Sequence, residues 1–287
     1  MILVTGASGK TGRAVVRALA GRSEPVRALV HGPDQAPRLL ALGAQETLTG
    51  NLLDRATMER AVDGVRAIYH IAPNVSPDEI PMGQTVIVAA RAAGVEHLVF
   101  HSVLHPHIEA MPHHWQKARV EELLFACGLP FTILQPTAYM QNLSGTWEAI
   151  VTEGRYPVPY SADTLLSLVD LEDVAQAAAQ VLTEAGHIGA TIEAVGTPGM
   201  SPRQIAEALS AGLERPVAVE VVPLEAWKEK AQASGMGEYQ ISALAKMFGY
   251  YNDHGLTGNP QALTRVLGRP PTSFGDFVRR VIREHWW

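Results

Sequence analysis

The apolar positions fall into short unbroken runs separated by stretches of helical spacing. Ile2, Leu3 and Val4 make the first run, which stops at Thr5-Gly6. Gly6, Gly9 and Gly12 follow at every third residue, and Ala14, Val15, Val16, Ala18 and Leu19 then set a helical period. This predicts strand, tight turn and helix. The pattern repeats, with strands predicted at 25–30, 44–48, 67–71, 97–102 and 131–135 and helices at 35–42, 56–62, 83–93 and 115–127. Six strands alternating with helices before residue 140 predict an α/β fold with a doubly wound parallel sheet of Rossmann type. Beyond Pro136 the alternation loosens. A helix is expected at 139–150, a loop at 154–159, and a helix from 167 to 182 whose early acids Asp170, Glu172 and Asp173 complement its dipole. A strand at 191–195, a helix at 201–211 capped by Ser201, a strand at 217–222 and a mostly helical tail from 224 to 287 follow.

Composition changes this picture little. Hydrophobic residues are 47% of the chain and charged residues 18%, and no apolar run reaches the roughly 20 residues of a membrane span. Met1 leads straight into a strand with no basic and apolar leader before it, so a cytoplasmic protein without a membrane partner is expected. Cys127 is the single cysteine, which excludes an intrachain disulfide and cysteine-based zinc sites and suggests an apolar filler. A net charge of −6 with dispersed basic residues argues against nucleic acid as a partner.

The glycine stretch carries the chemistry. Without Cβ atoms a loop lets a diphosphate approach its backbone, and the N–H groups and dipole of the following helix attract negative charge. Gly6, Ala7, Ser8, Gly9, Lys10, Thr11 and Gly12 are therefore candidate dinucleotide contacts, although three glycines alone also suit an ordinary turn. The second strand ends at His31 rather than at a carboxylate suited to the ribose of NAD, and Lys10, Arg13 or His31 can supply positive charge. NADP is favoured, and Asp34 leaves NAD open. The carboxyl ends of parallel strands line one crevice, which places Gly6, His31, Asn51, Ala72, Ser102 and Pro136 near one another. His101, His105, His107, His113 and His114 cluster in the sequence, but without a regular ligand spacing, so no metal is expected. Tyr139, Met140 and Trp147 suit either a wall for a flat substrate or core packing. The expected organisation is a dinucleotide-binding domain over 1–150 and a smaller mixed α/β lobe over 151–287, interleaved with the first.

The chain resembles the NmrA-like branch of the atypical short-chain dehydrogenase/reductase superfamily, which includes quinone and dye reductases and redox-sensing regulators. The resemblance rests on Gly6 to Gly12, the segment from Gly50 to Asp54, Ser102, Lys117, FTILQPTAYMQN from Phe131, SLVDLEDVA from Ser167 and LGRPPTSFGDFV from Leu267. It implies the Gly6 to Gly12 backbone at the pyrophosphate and His31 where many relatives place an arginine. It further implies Asn51 in place of an aspartate with Leu52 packing on adenine, Ile71, Ala72 and Pro73 on the ribose side, and Lys117 at the nicotinamide ribose. His113 stands four residues before Lys117, where ordinary members of the superfamily carry tyrosine. A histidine titrating near neutrality can donate a proton there. These residues point to an NAD(P)H-dependent oxidoreductase passing hydride to a flat electron-poor acceptor such as a quinone, with His113, Lys117 and Ser102 as catalytic candidates. The alternatives are a redox-sensing regulator that binds the dinucleotide and signals through a protein partner and, third, a cofactor-retaining isomerase or epimerase. A homodimer is allowed.

Overall fold

The computed structural model describes residues 1–284. Its strands are β1 (Ile2–Val4), β2 (Val26–Val30), β3 (Glu46–Thr49), β4 (Ala67–His70), β5 (His97–His101), β6 (Phe131–Pro136), β7 (Ala138–Tyr139), β8 (Arg155–Val158), β9 (Leu168–Val169), β10 (Thr191–Ala194) and β11 (Ala218–Val221). The helices are α1 (Lys10–Gly21), α2 (Ala36–Ala41), α3 (Arg55–Val62), α4 (Glu79–Ala92), α5 (Pro112–Cys127), α6 (Leu171–Thr183), α7 (Pro202–Leu213), α8 (Leu224–Ala233), α9 (Glu238–His254), α10 (Gln261–Leu267) and α11 (Phe274–Arg283). Seven strands form one sheet in the order β10-β6-β5-β4-β1-β2-β3. The pairs β1–β2, β2–β3, β1–β4, β4–β5 and β5–β6 are parallel, as the alternation of strands and helices requires. The strand order reverses at β1, and the carboxyl ends there make the crevice at which such sheets bind ligands.

The chain divides into two compact units, each discontinuous in sequence. The first comprises Met1–Ile108, His113–Gln135 and Val174–Ile192; the second comprises Glu109–Pro112, Pro136–Asp173 and the chain from Glu193 on. In the first, Leu3, Ile68, Leu98, Phe100 and Ile133 of the sheet pack with Met58, Val86, Val120 and Leu124 of the helices, and Cys127 fills part of the same core. In the second, Met140, Trp147, Tyr156 and Val158 pack with Leu209, Phe274, Phe277 and Val281. Among the described residues no helix is long and apolar enough to cross a membrane.

The expected elements of the first half are all present, with α4 and α5 starting three or four residues early. Proline at the first turn, Pro81 in α4 and Pro112 in α5, lacks the N–H a helix cannot use there. The second half departs more. Residues 154–159 are not a loop: β8 lies there, pairing in parallel with β11, because Tyr156 and Val158 alternate inward and a two-stranded sheet has edges that tolerate Pro157. The helix expected at 139–150 breaks into β7, a 3-10 stretch at Met140–Gly145 and a π-helix at Ala149–Glu153. Asn142, Ser144 and Gly145 are poor helix formers. Leu168 and Val169 form β9 beside β7, so the expected helix from 167 begins at Leu171. Residues 285–287 of the expected helical tail lie outside the described residues.

Candidate functional site

The glycine loop closes on itself tightly. Gly6 has a positive φ of 55°, and a Cβ there would lie 2.7 Å from the Ile71 carbonyl oxygen; a Cβ on Gly12 would lie 2.3 Å from the Gly6 oxygen. Both positions therefore demand glycine for the loop's own geometry. Gly9 differs. Its φ is an ordinary −69°, and a Cβ would meet only the Gly6 oxygen at 3.3 Å, so the fold alone does not account fully for its bare backbone. Gly9 begins α1 without a side-chain cap, and the first turn of that helix carries no acid. An uncapped, acid-free helix start behind a glycine-rich loop fits the diphosphate of a dinucleotide. Thr5 fixes the loop's origin: its hydroxyl accepts from the Ile71 N–H at 2.9 Å and lies 3.0 Å from the Ile71 oxygen and from His70 Nδ1.

At the end of β2 the His31 side chain is exposed and its backbone N–H donates to Gln35 Oε1. The Asp34 carboxylate folds back over Gly32, 2.4 Å from where a Cβ would stand. Asn51 is exposed, its side-chain oxygen accepts from the Leu53 N–H, and Leu52 is buried. Ala72 is buried and Pro73 exposed after β4.

Helix α5 and the strand ends beside it hold the reactive side chains. Lys117 is buried, and its ammonium donates to Glu79 Oε1 at 2.9 Å and to the His101 carbonyl at 3.2 Å, 5.3 Å from the centre of the Phe100 ring. One turn further along α5, Glu121 accepts from Ser102 Oγ at 2.5 Å and from Gln135 Nε2 at 2.9 Å. Burial raises the Glu121 pKa, against the hydrogen bonds from Ser102 and Gln135 and the charge of Lys117. Ser102 is 2% exposed and committed to Glu121, which makes it a support for that carboxylate. His113 departs from the neutral titration expected of it: burial first, and then the charge of Lys117, lowers its pKa to about 4. It is a neutral imidazole at pH 7, with Nδ1 buried and unpartnered. The rings of His113 and His114 meet edge to face at 4.6 Å, and among the described residues no three potential metal ligands converge. In the second unit Met140 and Trp147 are 1% and 3% exposed within the core cluster, so they serve packing there, while Tyr139 is half-buried.

The sequence matches the NmrA-like family over residues 1–274. The chain belongs to that family. An NAD(P)H azoreductase of Xenophilus azovorans is 32% identical over 281 residues, covering 97% of each chain. Quinone oxidoreductase 2 of Escherichia coli is 25% identical over 97% of each. Among solved structures, an NADPH-dependent quinone oxidoreductase of Escherichia coli, complexed with NADPH, aligns with a TM-score of 0.86 at 25% identity over 98% of this chain and 100% of that one.

In this NmrA-like chain the first unit gathers the glycine loop, Thr5, His70 and Ile71 into one hydrogen-bonded group, and Lys117, Ser102 and His101 around α5 into another. Three members of these groups escape a sequence reading: Glu79, Glu121 and Gln135. Glu121 had a usable signal, since it lies four residues after Lys117 and so on the same helical face. Glu79 had none, because its partner is 38 residues away.

Proposed function

We propose that the chain is an NAD(P)H-dependent oxidoreductase of the cytoplasm that passes hydride to a small, flat, electron-poor acceptor such as a quinone. The observation that carries this is the self-closing glycine loop before the uncapped start of α1, in a chain that matches an NAD(P)H azoreductase along 97% of its length. A bound dinucleotide supplies the hydride. The chain's own residues supply the rest. The loop backbone from Gly6 to Gly12 and the first turn of α1 hold the diphosphate. Ile71, Ala72 and Pro73 border the ribose, and Leu52 packs at the adenine. Lys117 spends two of its three ammonium hydrogens on Glu79 and the His101 carbonyl, which fixes it for a ribose hydroxyl with the third. His113, neutral at pH 7, acts as a hydrogen-bonding group toward the acceptor oxygen and not as a standing imidazolium. That suffices for a quinone, whose reduced form is a delocalised anion.

Purified protein mixed with NADPH and a panel of quinones and azo dyes tests this through the ultraviolet absorbance of NADPH. Acceptor-dependent oxidation is expected, and Gly12→Val abolishes it together with dinucleotide binding. Tight binding with no NADPH consumed by any acceptor would overturn the enzyme and leave the sensor.

A further inference from the structure

The carboxyl ends of the parallel strands β8 and β11 run out at a cavity of about 620 Å³ lined by residues of the second unit alone. Tyr160 and Phe248, with ring centres 6.0 Å apart at 37°, make its apolar wall together with Val221 and Pro223. Trp227 braces Phe248 at 4.8 Å and Tyr251 braces Tyr160 at 6.1 Å, each nearly perpendicular. The last turns of α9 line the cavity as well, and two residues there work against their own helix. Gly249 lies in the helix interior, where glycine weakens a helix, yet a Cβ at this position would meet nothing within 4 Å. Asp253 sets a carboxylate in the last turn, where the helix dipole already gathers negative charge. Four residues apart, the two share one helical face, and both line the cavity. Asn252 holds the carboxylate in place: its Oδ1 accepts from the Ser161 N–H at 3.0 Å and its Nδ2 donates to Asp253 Oδ1 at 3.1 Å. The arginine of the lining, Arg203, is already bonded to Asp163 at 2.8 Å, so Asp253 leaves the cavity with a net negative charge. Helix stability accounts for neither Gly249 nor Asp253, whereas an open floor beneath a carboxylate free of any ion pair among the described residues suits a bound cation.

We propose that this cavity binds an organic ammonium ion with an apolar body, through none of the residues assigned to the dinucleotide. The apolar body lies against Tyr160, Phe248, Val221 and Pro223, and the ammonium group faces the Asp253 carboxylate and the terminal carbonyls of α9. Aromatic faces carry the negative part of the ring quadrupole, so this wall favours a cation over an anion of the same shape. Gly249 leaves the room that the ligand fills.

The test is a calorimetric titration of wild type, Asp253→Lys and Gly249→Leu with benzyltrimethylammonium and, as the anion of similar shape, benzylsulfonate. Wild type binds the ammonium ion about tenfold more tightly than the sulfonate, and each substitution weakens the ammonium ion about tenfold, one by reversing the charge and the other by filling the floor. Asp253→Lys also improves the sulfonate, whereas Gly249→Leu weakens both probes. Both variants fold: Asp253 is exposed and a lysine suits a helix carboxyl end, while leucine is a better helix former than glycine. Their melting temperatures therefore equal or exceed that of wild type, which separates lost binding from lost structure. No binding of benzyltrimethylammonium, equal affinity for the two probes, or variants that keep the wild-type affinity would overturn the site. The titration contains no dinucleotide, so its failure leaves the oxidoreductase reading untouched.

Discussion

The two units treat buried charge in opposite ways. In the first, burial is the leading cause that pushes His70, His101 and His114 to about 3 and His97 and His113 to about 4, so five imidazoles are neutral at pH 7. Burial also raises the Glu121 pKa there, and the Lys117–Glu79 pair is the charged exception. In the second unit the fully buried Asp170 and Asp173 meet Arg280 at 2.7 Å and Arg269 at 2.6 Å. Neutral imidazoles satisfy the strand ends around a site without a desolvated charge at each of them. The arginines act across long sequence separations: Asp173 and Arg269 stand 96 residues apart, and the Asp173 carboxylate also accepts from the Thr272 N–H. Around α5 and the strand ends the first unit thus buries mainly neutral imidazoles, with its ion pairs apart from Lys117–Glu79 nearer the surface, whereas the second buries the carboxylates of Asp170 and Asp173 against arginines.

Acid should separate the units most strongly. A histidine whose folded pKa lies below its unfolded value of 6.5 contributes stability that is complete above pH 6.5 and is lost as pH falls toward the folded value. Each such group removes up to about 1.4 kcal/mol per pH unit within that window. Five of them make the first unit unfold between about pH 6.5 and 4, ahead of the second. Hydrogen exchange across this range should show protection lost first in β4 and β5, and His70→Leu should move the transition to lower pH. Equal loss in β8 and β11 would break the contrast.

What the sequence discloses follows the same division. The sheet of the first unit is legible because parallel strands buried on both faces read as apolar runs, and the glycine loop because it is local. Lys117 is also visible, but its burial and its hold on Glu79 depend on α4 packing beside it. His113 looks like a neutral-pH acid because a sequence does not carry burial. In the second unit Asp170 and Asp173 read as helix-start acids, and Asp170 does accept from the Glu172 N–H at 3.1 Å. Their arginine partners lie in a tail whose packing no local pattern announces. β8 hides behind Pro157 and Pro159. Met140 and Trp147 fit wall and core equally well until their burial is known.

Removing one ion of a clasp should have the next largest effect. Arg280→Leu leaves Asp170, with no exposed surface, holding Gln141 Nε2 but no cation. Breaking a buried pair on one side costs about 3–5 kcal/mol. Denaturant unfolding should show that loss, and Asp170→Asn in the same chain should restore part of it. A loss below about 1 kcal/mol would mean that the pair behaves as a surface bridge, and the second unit would not be fastened by it.

The smallest effect probes Glu121, a buried carboxylate of the first unit that forms no ion pair among the described residues. Glu121→Gln keeps an acceptor for Ser102 Oγ, and Gln135 can turn its amide to face the new side chain, so the hydrogen bonds survive at a cost on the order of 1 kcal/mol. The sign of the pH dependence is fixed by the raised pKa. A carboxyl group whose folded pKa lies above its ordinary 4.5 binds its proton more tightly in the fold, so its stabilising contribution is complete at low pH and is lost as pH rises through the folded value. Wild type should therefore exceed the variant most at about pH 4.5, and the gap should narrow or reverse by about pH 8. Paired denaturant curves at the two pH values measure it. A constant gap would show that Glu121 does not change its protonation between the two pH values, and the contrast between the units would then rest on the histidines alone.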